Sequence, residues 1–173
     1  MEMAYTVLLH KSQYHALYDR LREENLLWAV WPDVDAGDWT PDVFINLLSR
    51  PDTLVLGGAI DGAPAGVMTL RPVTARSLTA EIGLTAFRHY FARAEDLCRG
   101  ALLWACEHLD VASFLGRVAI PNRHILRMLS CLGFRELGRV PGMCWYTRKQ
   151  KFVDGALVLA TPDSIRATIK REG

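Results

Sequence analysis

The stretch IPNRHILRMLSCLGFRELGRV, Ile120 to Val140, decides how the rest of the chain is read. Pro121-Asn122 opens it, about eleven residues with helical spacing follow, and Gly133-Phe134 stops them before a strand-like run. An asparagine at a helix mouth can cap the first turn, and it can also present its amide to a ligand lying there. Gly133 supplies the left-handed conformation that ends a helix, after which Phe134 can fold back onto the core. The spacing predicts a helix over 122–132, preceded by a strand over 111–119 and followed by strands near 134–140, 143–148 and 153–160.

Working outward, Ala4–Leu9 reads as a short apolar strand. Ser12 is expected to cap a helix whose apolar face is Tyr14, Leu17, Tyr18 and Leu21. Thr40-Pro41-Asp42 opens another, with a capping hydroxyl, a proline at the first helical position and an acid at the positive end of the dipole; its buried face is Phe44, Leu47 and Leu48. Residues 53–60 and 64–73 flank Asp61-Gly62 and form a β-hairpin. A third strand spans 77–87. A helix over 94–109 turns Leu97, Ala101, Leu102, Ala105 and Leu109 inward, and Thr161-Pro162-Asp163 announces a short terminal helix. The order β-α-α-β-β-β-α-β-α-β-β lacks strict alternation, so the class is α+β, with a βαβ-like centre.

A length of 173 residues fits a single domain spanning 1–173. Half of the residues are hydrophobic and 23% are charged, an ordinary globular composition. No apolar run approaches the roughly 18 residues of a membrane span, and the N-terminus reads as strand and helix rather than as a signal peptide. Cys98, Cys106, Cys131 and Cys144 form no CxxC pair and read as buried reduced thiols of a cytoplasmic protein. The histidines at 10, 15, 89, 108 and 124 show no metal-ligand spacing, so no metal is expected. The net charge of +1 conceals an asymmetry: residues 1–66 carry 4 Lys/Arg against 10 Asp/Glu, residues 67–173 carry 16 against 9. The basic half is almost all arginine, which suits a phosphate-bearing ligand. The arginines are scattered and have no aromatic-basic register, which argues against nucleic acid.

The order of elements, together with two local patterns, resembles the GCN5-related N-acetyltransferase superfamily, of which the chain would be a divergent member. The resemblance covers nearly the whole chain as an order and is sharpest from Glu81 to Gly138. It implies a three-layer α/β arrangement, a mixed central sheet with helices on both faces. It also implies acetyl-CoA as co-substrate and an amine-bearing acceptor, small molecule or peptide. In that family a strand–Asn–helix–Gly-Phe segment packs beside the pantetheine arm, which places Asn122 there. A loop of the form Gln/Arg-x-x-Gly-x-Gly/Ala holds the pyrophosphate on backbone N–H groups. Here the matching stretch is HYFARA, with His89, Ala92 and Ala94 at the motif positions. Both glycines are alanines, which restricts positive φ and adds a methyl group where the backbone must approach ligand; Arg88, His89 and Arg93 offset part of this electrostatically.

The strand before the loop carries AEIGL, Ala80 to Leu84. Several members of the family use a glutamate on this strand as general base toward the acceptor amine, and Glu81 matches it; a carboxylate facing an apolar cleft can accept a proton near neutral pH. By the same register the backbone of Leu84 meets the thioester or the pantetheine. Many members place a tyrosine on the Asn helix as acid for the leaving thiolate, and the equivalent position here is Leu129. The stretch NLLWAVWPDVDAGDW, 25–39, would wall the acceptor pocket, with Trp28 and Trp31 offering aromatic faces to a cationic amine. The resemblance thus implies an N-acyltransferase working by direct attack of the amine on the thioester, and leaves a homodimer open. The altered glycines and Leu129 keep a second reading in view, a catalytically degenerate binding or assembly module like the small phage and prophage proteins of this kind.

Overall fold

The computed structural model describes residues 4–30, 36, 38–74 and 77–169. Seven strands form one sheet in the order β1-β2-β3-β4-β5-β7-β6. They are β1 (Ala4–Leu8), β2 (Leu54–Ile60), β3 (Ala63–Pro72), β4 (Thr79–Ala86), β5 (Ser113–Ala119), β6 (Arg135–Tyr146) and β7 (Lys151–Ala160). Every neighbouring pair is antiparallel except β4 and β5. The helices are α1 (Tyr14–Glu23), α2 (Leu27–Val30), α3 (Pro41–Leu48), α4 (Ala94–His108), α5 (Arg123–Cys131) and α6 (Pro162–Ile169). The mixed sheet and the α+β class are those expected, with α2 and α6 completing the order.

Alternation along the strands sends side chains to two apolar layers. Leu56, Met68, Leu70, Ala80, Phe114, Val118, Val158 and Ala160 pack under Leu102 and Ala105 of α4, Leu129 of α5 and Ile165 of α6. On the other face Val55 and Val67 meet Tyr14, Leu17, Tyr18 and Leu21 of α1 and Phe44 and Leu48 of α3. The sheet is therefore sandwiched, as expected.

Local chemistry explains most boundaries. Thr40 caps α3, its hydroxyl accepting the Val43 N–H, with Pro41 at the first helical position. Asp61 and Gly62 both take positive φ, +49° and +83°, and close the β2–β3 hairpin. The Thr161 hydroxyl accepts the Ser164 N–H at 3.2 Å and the Ser164 hydroxyl accepts the Thr161 N–H at 2.9 Å, which starts α6.

Two expectations are corrected. Ser12 does not cap the first helix. His10 caps a single 3-10 turn, Lys11–Gln13, its ring nitrogen accepting the Ser12 N–H while Gln13 Oε1 takes the His10 N–H at 2.8 Å, and α1 starts at Tyr14. The strands expected at 134–140 and 143–148 are one strand, β6, with a bulge. Val140 faces Gly155 and Cys144 faces Val153, so three residues of β6 oppose one of β7. Pro141 has no N–H for the ladder, Gly142 takes φ +63°, and its N–H goes to Asp154 Oδ1 at 3.2 Å.

The stop at Gly133 closes α5 with two reversed bonds: Phe134 N–H to Leu129 C=O at 3.0 Å and Gly133 N–H to Ser130 C=O at 3.2 Å. Gly133 has φ +89°, and a Cβ on it would lie 2.5 Å from the Ser164 carbonyl oxygen. Conformation and contact both exclude a side chain. Gly133→Ala should lower stability by at least about 2 kcal/mol in urea unfolding followed by circular dichroism, with α6 displaced; a smaller loss would show that α6 moves aside freely.

Candidate active site

The site is built on the one parallel pair. β4 and β5 pair from Thr79↔Ser113 to Ile82↔Gly116, and there the pairing ends. β4 continues to Ala86, held by β3 through Gly66↔Ala86, while β5 continues to Ala119, held by β7 through Ala119↔Gly155. From Gly83 onward, the backbone groups of β4 that point toward β5 have no strand to pair with. Such groups need partners, and the carboxyl ends of parallel strands are where open sheets bind ligands.

Three further elements meet at this end. A 3-10 segment, Arg88–Arg93, leads from β4 into α4. Pro121-Asn122 leads from β5 into α5. α2 lies over β4, the Val30 carbonyl oxygen sitting 2.9 Å from where a Cβ of Gly83 would be. Glycine at 83 is what allows this approach.

Leu84 stands two residues past the last β4–β5 pair, on the unzipped stretch. Asn122 occupies the N-cap position of α5 but makes no side-chain cap bond, contrary to expectation. Its φ and ψ of −84° and 55° are not those of a capping residue, and its carbonyl accepts from Ile125 and Leu126 instead. The side-chain amide therefore has no partner among the described residues. Thr85 Oγ1, buried on the same free stretch of β4, also lacks one. A buried hydroxyl without a partner calls for a polar group to satisfy it.

The 3-10 segment differs in detail from what its alanines suggested. No residue from 88 to 94 takes positive φ, so alanine sits at 92 and 94 without backbone strain. Ala94 is the first residue of α4 and packs beside Ile60, Ala65, Ala86 and Leu97; Ala92 is exposed. The arginines are engaged. Arg88 gives its backbone N–H to Glu24 Oε2 at 2.6 Å and its Nε–H to the Glu24 carbonyl at 2.7 Å, tying α1 to the loop. Arg93 bonds Asp96 Oδ2 at 2.6 Å. His89 is exposed, edge-on to Tyr90. Glu95 and Asp96 stand in the first turn of α4, so backbone N–H groups, rather than free cations, are what this mouth offers an anion.

Glu81 lies one residue before the fork, with both oxygens held. Arg71 of β3 bonds Oε2 through Nε at 3.0 Å and Nη2 at 2.9 Å, and Arg117 of β5 bonds Oε1. A carboxylate so engaged is poorly placed to take a proton from an incoming amine. Composition did not point to these partners; the one sequence signal was a charged residue inside each of two apolar strands.

In the stretch expected to wall an acceptor pocket, Trp28 is half-buried and donates Nε1–H to the Asn25 carbonyl at 2.9 Å. Trp39 packs into the second core layer, and its carbonyl accepts the Tyr18 hydroxyl at 2.7 Å. Trp31, Asp33 and Asp35 lie outside the described residues.

Leu129, at the position where the resembled family carries an acid, is 4% exposed and lies in the core. Its Cδ1 is 3.9 Å from where a Cβ of Gly116 would be, so it backs the last residue pair of the fork. Of the four cysteines only Cys98 and Cys144 are buried; Cys106 is half-buried and Cys131 exposed, which corrects the expectation of four buried thiols. Burial pushes the Cys98 thiol up to about 12. Among the described residues no helix is long and apolar enough to cross a membrane.

Leu129→Ala should therefore act on folding, lowering stability by about 2–5 kcal/mol in denaturant unfolding. In the native protein Ellman's reagent should modify Cys131 rapidly and leave Cys98 untouched until the chain unfolds; modification of Cys98 at the rate of Cys131 would refute its burial.

No family model and no curated protein matches the sequence. Solved structures do match. A spermidine N-acetyltransferase from Vibrio cholerae in complex with CoA and spermine superposes with a TM-score of 0.78 at 13% identity, covering 94% of this chain and 97% of that one. A protein from Acinetobacter baylyi provisionally described as an acetyltransferase gives 0.73 at 16% identity over 93% and 94%. A protein provisionally described as a phosphinothricin N-acetyltransferase gives 0.73 at 16% identity over 92% and 99%. With the forked β4–β5 pair and the same element order, these likenesses show that the chain has the fold of the GCN5-related N-acetyltransferases.

Proposed function

We propose that this protein is an acyl-CoA-dependent N-acyltransferase, with acetyl-CoA as the simplest donor and an amine on a small molecule or peptide as acceptor. The observation that carries the reading is the fork. It leaves a stretch of extended backbone, Gly83–Ala86, paired with β3 on one side but with no strand on the side toward β5, between two helix mouths. The pantetheine arm carries amide groups along its length, and an unpaired strand edge bonds such a chain as it would another strand. Leu84 and its neighbours supply that edge, and the Asn122 amide and the Thr85 hydroxyl are polar groups with bonding capacity to spare. Backbone N–H groups of the 3-10 segment at His89 and Ala92, and the N-terminus of α4, which opens at Ala94, would hold the pyrophosphate. Arg88 and Arg93 would act there from their present pairs with Glu24 and Asp96.

The acceptor enters from the α2 side, past Trp28. Its neutral nitrogen attacks the thioester carbon, a C–N bond forms, the C–S bond breaks, and the thiolate leaves. The nitrogen's proton passes to solvent. An N–H of β4 beyond the fork polarises the carbonyl, and alignment of the two reactants supplies most of the acceleration. The solved spermidine N-acetyltransferase, which holds CoA and spermine, supports the pairing of an acyl-CoA with an amine.

Acetyl-CoA should raise the melting temperature, the stabilisation reaching about 2.7 kcal/mol at a hundredfold excess over Kd. Asn122→Ala should weaken acetyl-CoA binding by about 1 kcal/mol, roughly fivefold, and leave the melting temperature of the free protein unchanged, because its amide holds nothing in the protein. No shift with millimolar acetyl-CoA would overturn the proposal.

A further inference from the structure

The ion ladder Arg71–Glu81–Arg117 has no part in the reaction just described, yet it stands at the fork. Glu81 is one residue before the last β4–β5 pair, and Arg117 is one residue beyond it on β5. The Arg117 guanidinium reaches back across the gap to Glu81 Oε1. From the other side Arg71, directly opposite Glu81 in the β3–β4 register, grips Oε2. The three side chains are 30%, 16% and 19% exposed in the order Arg71, Glu81, Arg117, so solvent and salt screen them less than surface pairs.

The sheet around them is two continuous halves. The β3–β4 register runs unbroken from Gly66↔Ala86 to Pro72↔Ala80, and the β5–β7 register runs unbroken from Phe114↔Ala160 to Ala119↔Gly155. No bulge in β4 bends it away from β5. The halves share an apolar core and are joined along the seam by four register pairs and by the Ala112 N–H to Leu78 carbonyl bond at 2.8 Å just before them. Polar side chains cross the seam, among the described residues, at the Thr79 and Ser113 hydroxyls, 2.9 Å apart at the closed end, and at Glu81–Arg117 at the open end. Backbone pairing alone would let the strands zip further or fray back. A charge-assisted pair placed across the last rung opposes fraying, and its directional hydrogen bond favours one spacing of the two strands.

We infer that Arg71–Glu81–Arg117 is a clasp that fixes the width of the fork. Glu81 and Arg117 are then positioning residues, acting through the unpaired edge of β4 on whatever lies in the slot. For acyl-CoA in that slot the inference rests on the function proposed above, but the clasp itself can be measured without it.

The experiment compares wild type, Arg117→Met, Arg117→Lys and Arg71→Met by hydrogen–deuterium exchange and by steady-state kinetics with an acceptor found from an amine panel. In Arg117→Met the amides of 79–82 and 113–116 that bond across the β4–β5 seam should exchange about tenfold faster, with the amides that bond across β2–β3 and across β5–β7 unchanged. The KM for acetyl-CoA should rise about tenfold, with acceptor KM within about twofold of wild type. Arg117→Lys, which keeps the charge, should recover most of both, and Arg71→Met should show a weaker form of the same pattern. These two variants carry the test if Arg117→Met does not fold. Wild-type exchange at 79–82 and 113–116 in every variant overturns the clasp. Faster exchange in a protein whose wild type binds no acetyl-CoA upholds the clasp and refutes the acyltransferase reading instead.

Discussion

The rest of this structure depends on where one ladder of backbone hydrogen bonds stops. β4 and β5 are the single parallel pair of the sheet, and they stay together only as far as Ile82 and Gly116. Beyond that point each strand is secured by its outer neighbour, so the gap requires no distortion of either half. A parallel pair needs a crossover connection, and α4 provides it. The crossover brings the 3-10 segment and the N-terminus of α4 to the carboxyl end of β4, and the turn after β5 delivers Asn122 to the same end. One interrupted ladder thus gathers an unpaired strand edge, two helix mouths and an uncommitted amide in one place.

The charges around that place are organised more tightly than the arginine-rich composition suggests. Arg88 is spent on Glu24, Arg93 on Asp96 and Arg99 on Glu95. An anion at the α4 mouth would meet guanidiniums already neutralised by neighbouring carboxylates, so backbone N–H groups carry more of the recognition than side chains do. The same logic applies at Glu81. Two guanidiniums secure its charge, and the carboxylate serves as the central member of a ladder linking three strands. Exposed pairs of this kind contribute little, but a partly buried one that loses a member leaves a charge without compensation.

Glycines mark the points where elements come closest. Gly83 admits the Val30 carbonyl of α2, and Gly133 both turns the chain out of α5 and lies against Ser164 of α6. α2 and the terminal helix are each seated on a position where a methyl group would not fit.

By itself the sequence determined most of what depends on a few adjacent residues, the His10–Gln13 cap before α1 being an exception. The Asp61-Gly62 hairpin, the Thr40-Pro41 and Thr161-Pro162 helix starts, the span of α4 and the stop at Gly133 follow from local dihedral preference and capping, and these were legible. Elements in that order sufficed to recognise the fold. What only the tertiary structure decided depends on partners far apart in the chain. The two guanidiniums on Glu81 come from Arg71 and Arg117, 10 and 36 residues away in the chain. The oxygens that hold Arg88 belong to Glu24, 64 residues before it. β6 looked like two strands because the bulge that makes it one is completed by Asp154 of β7. Asn122 looked like a cap because its type suits capping, whereas the backbone angles it adopts at the end of β5 do not. Local chemistry set the elements; the register of the sheet chose which charged and polar groups would meet.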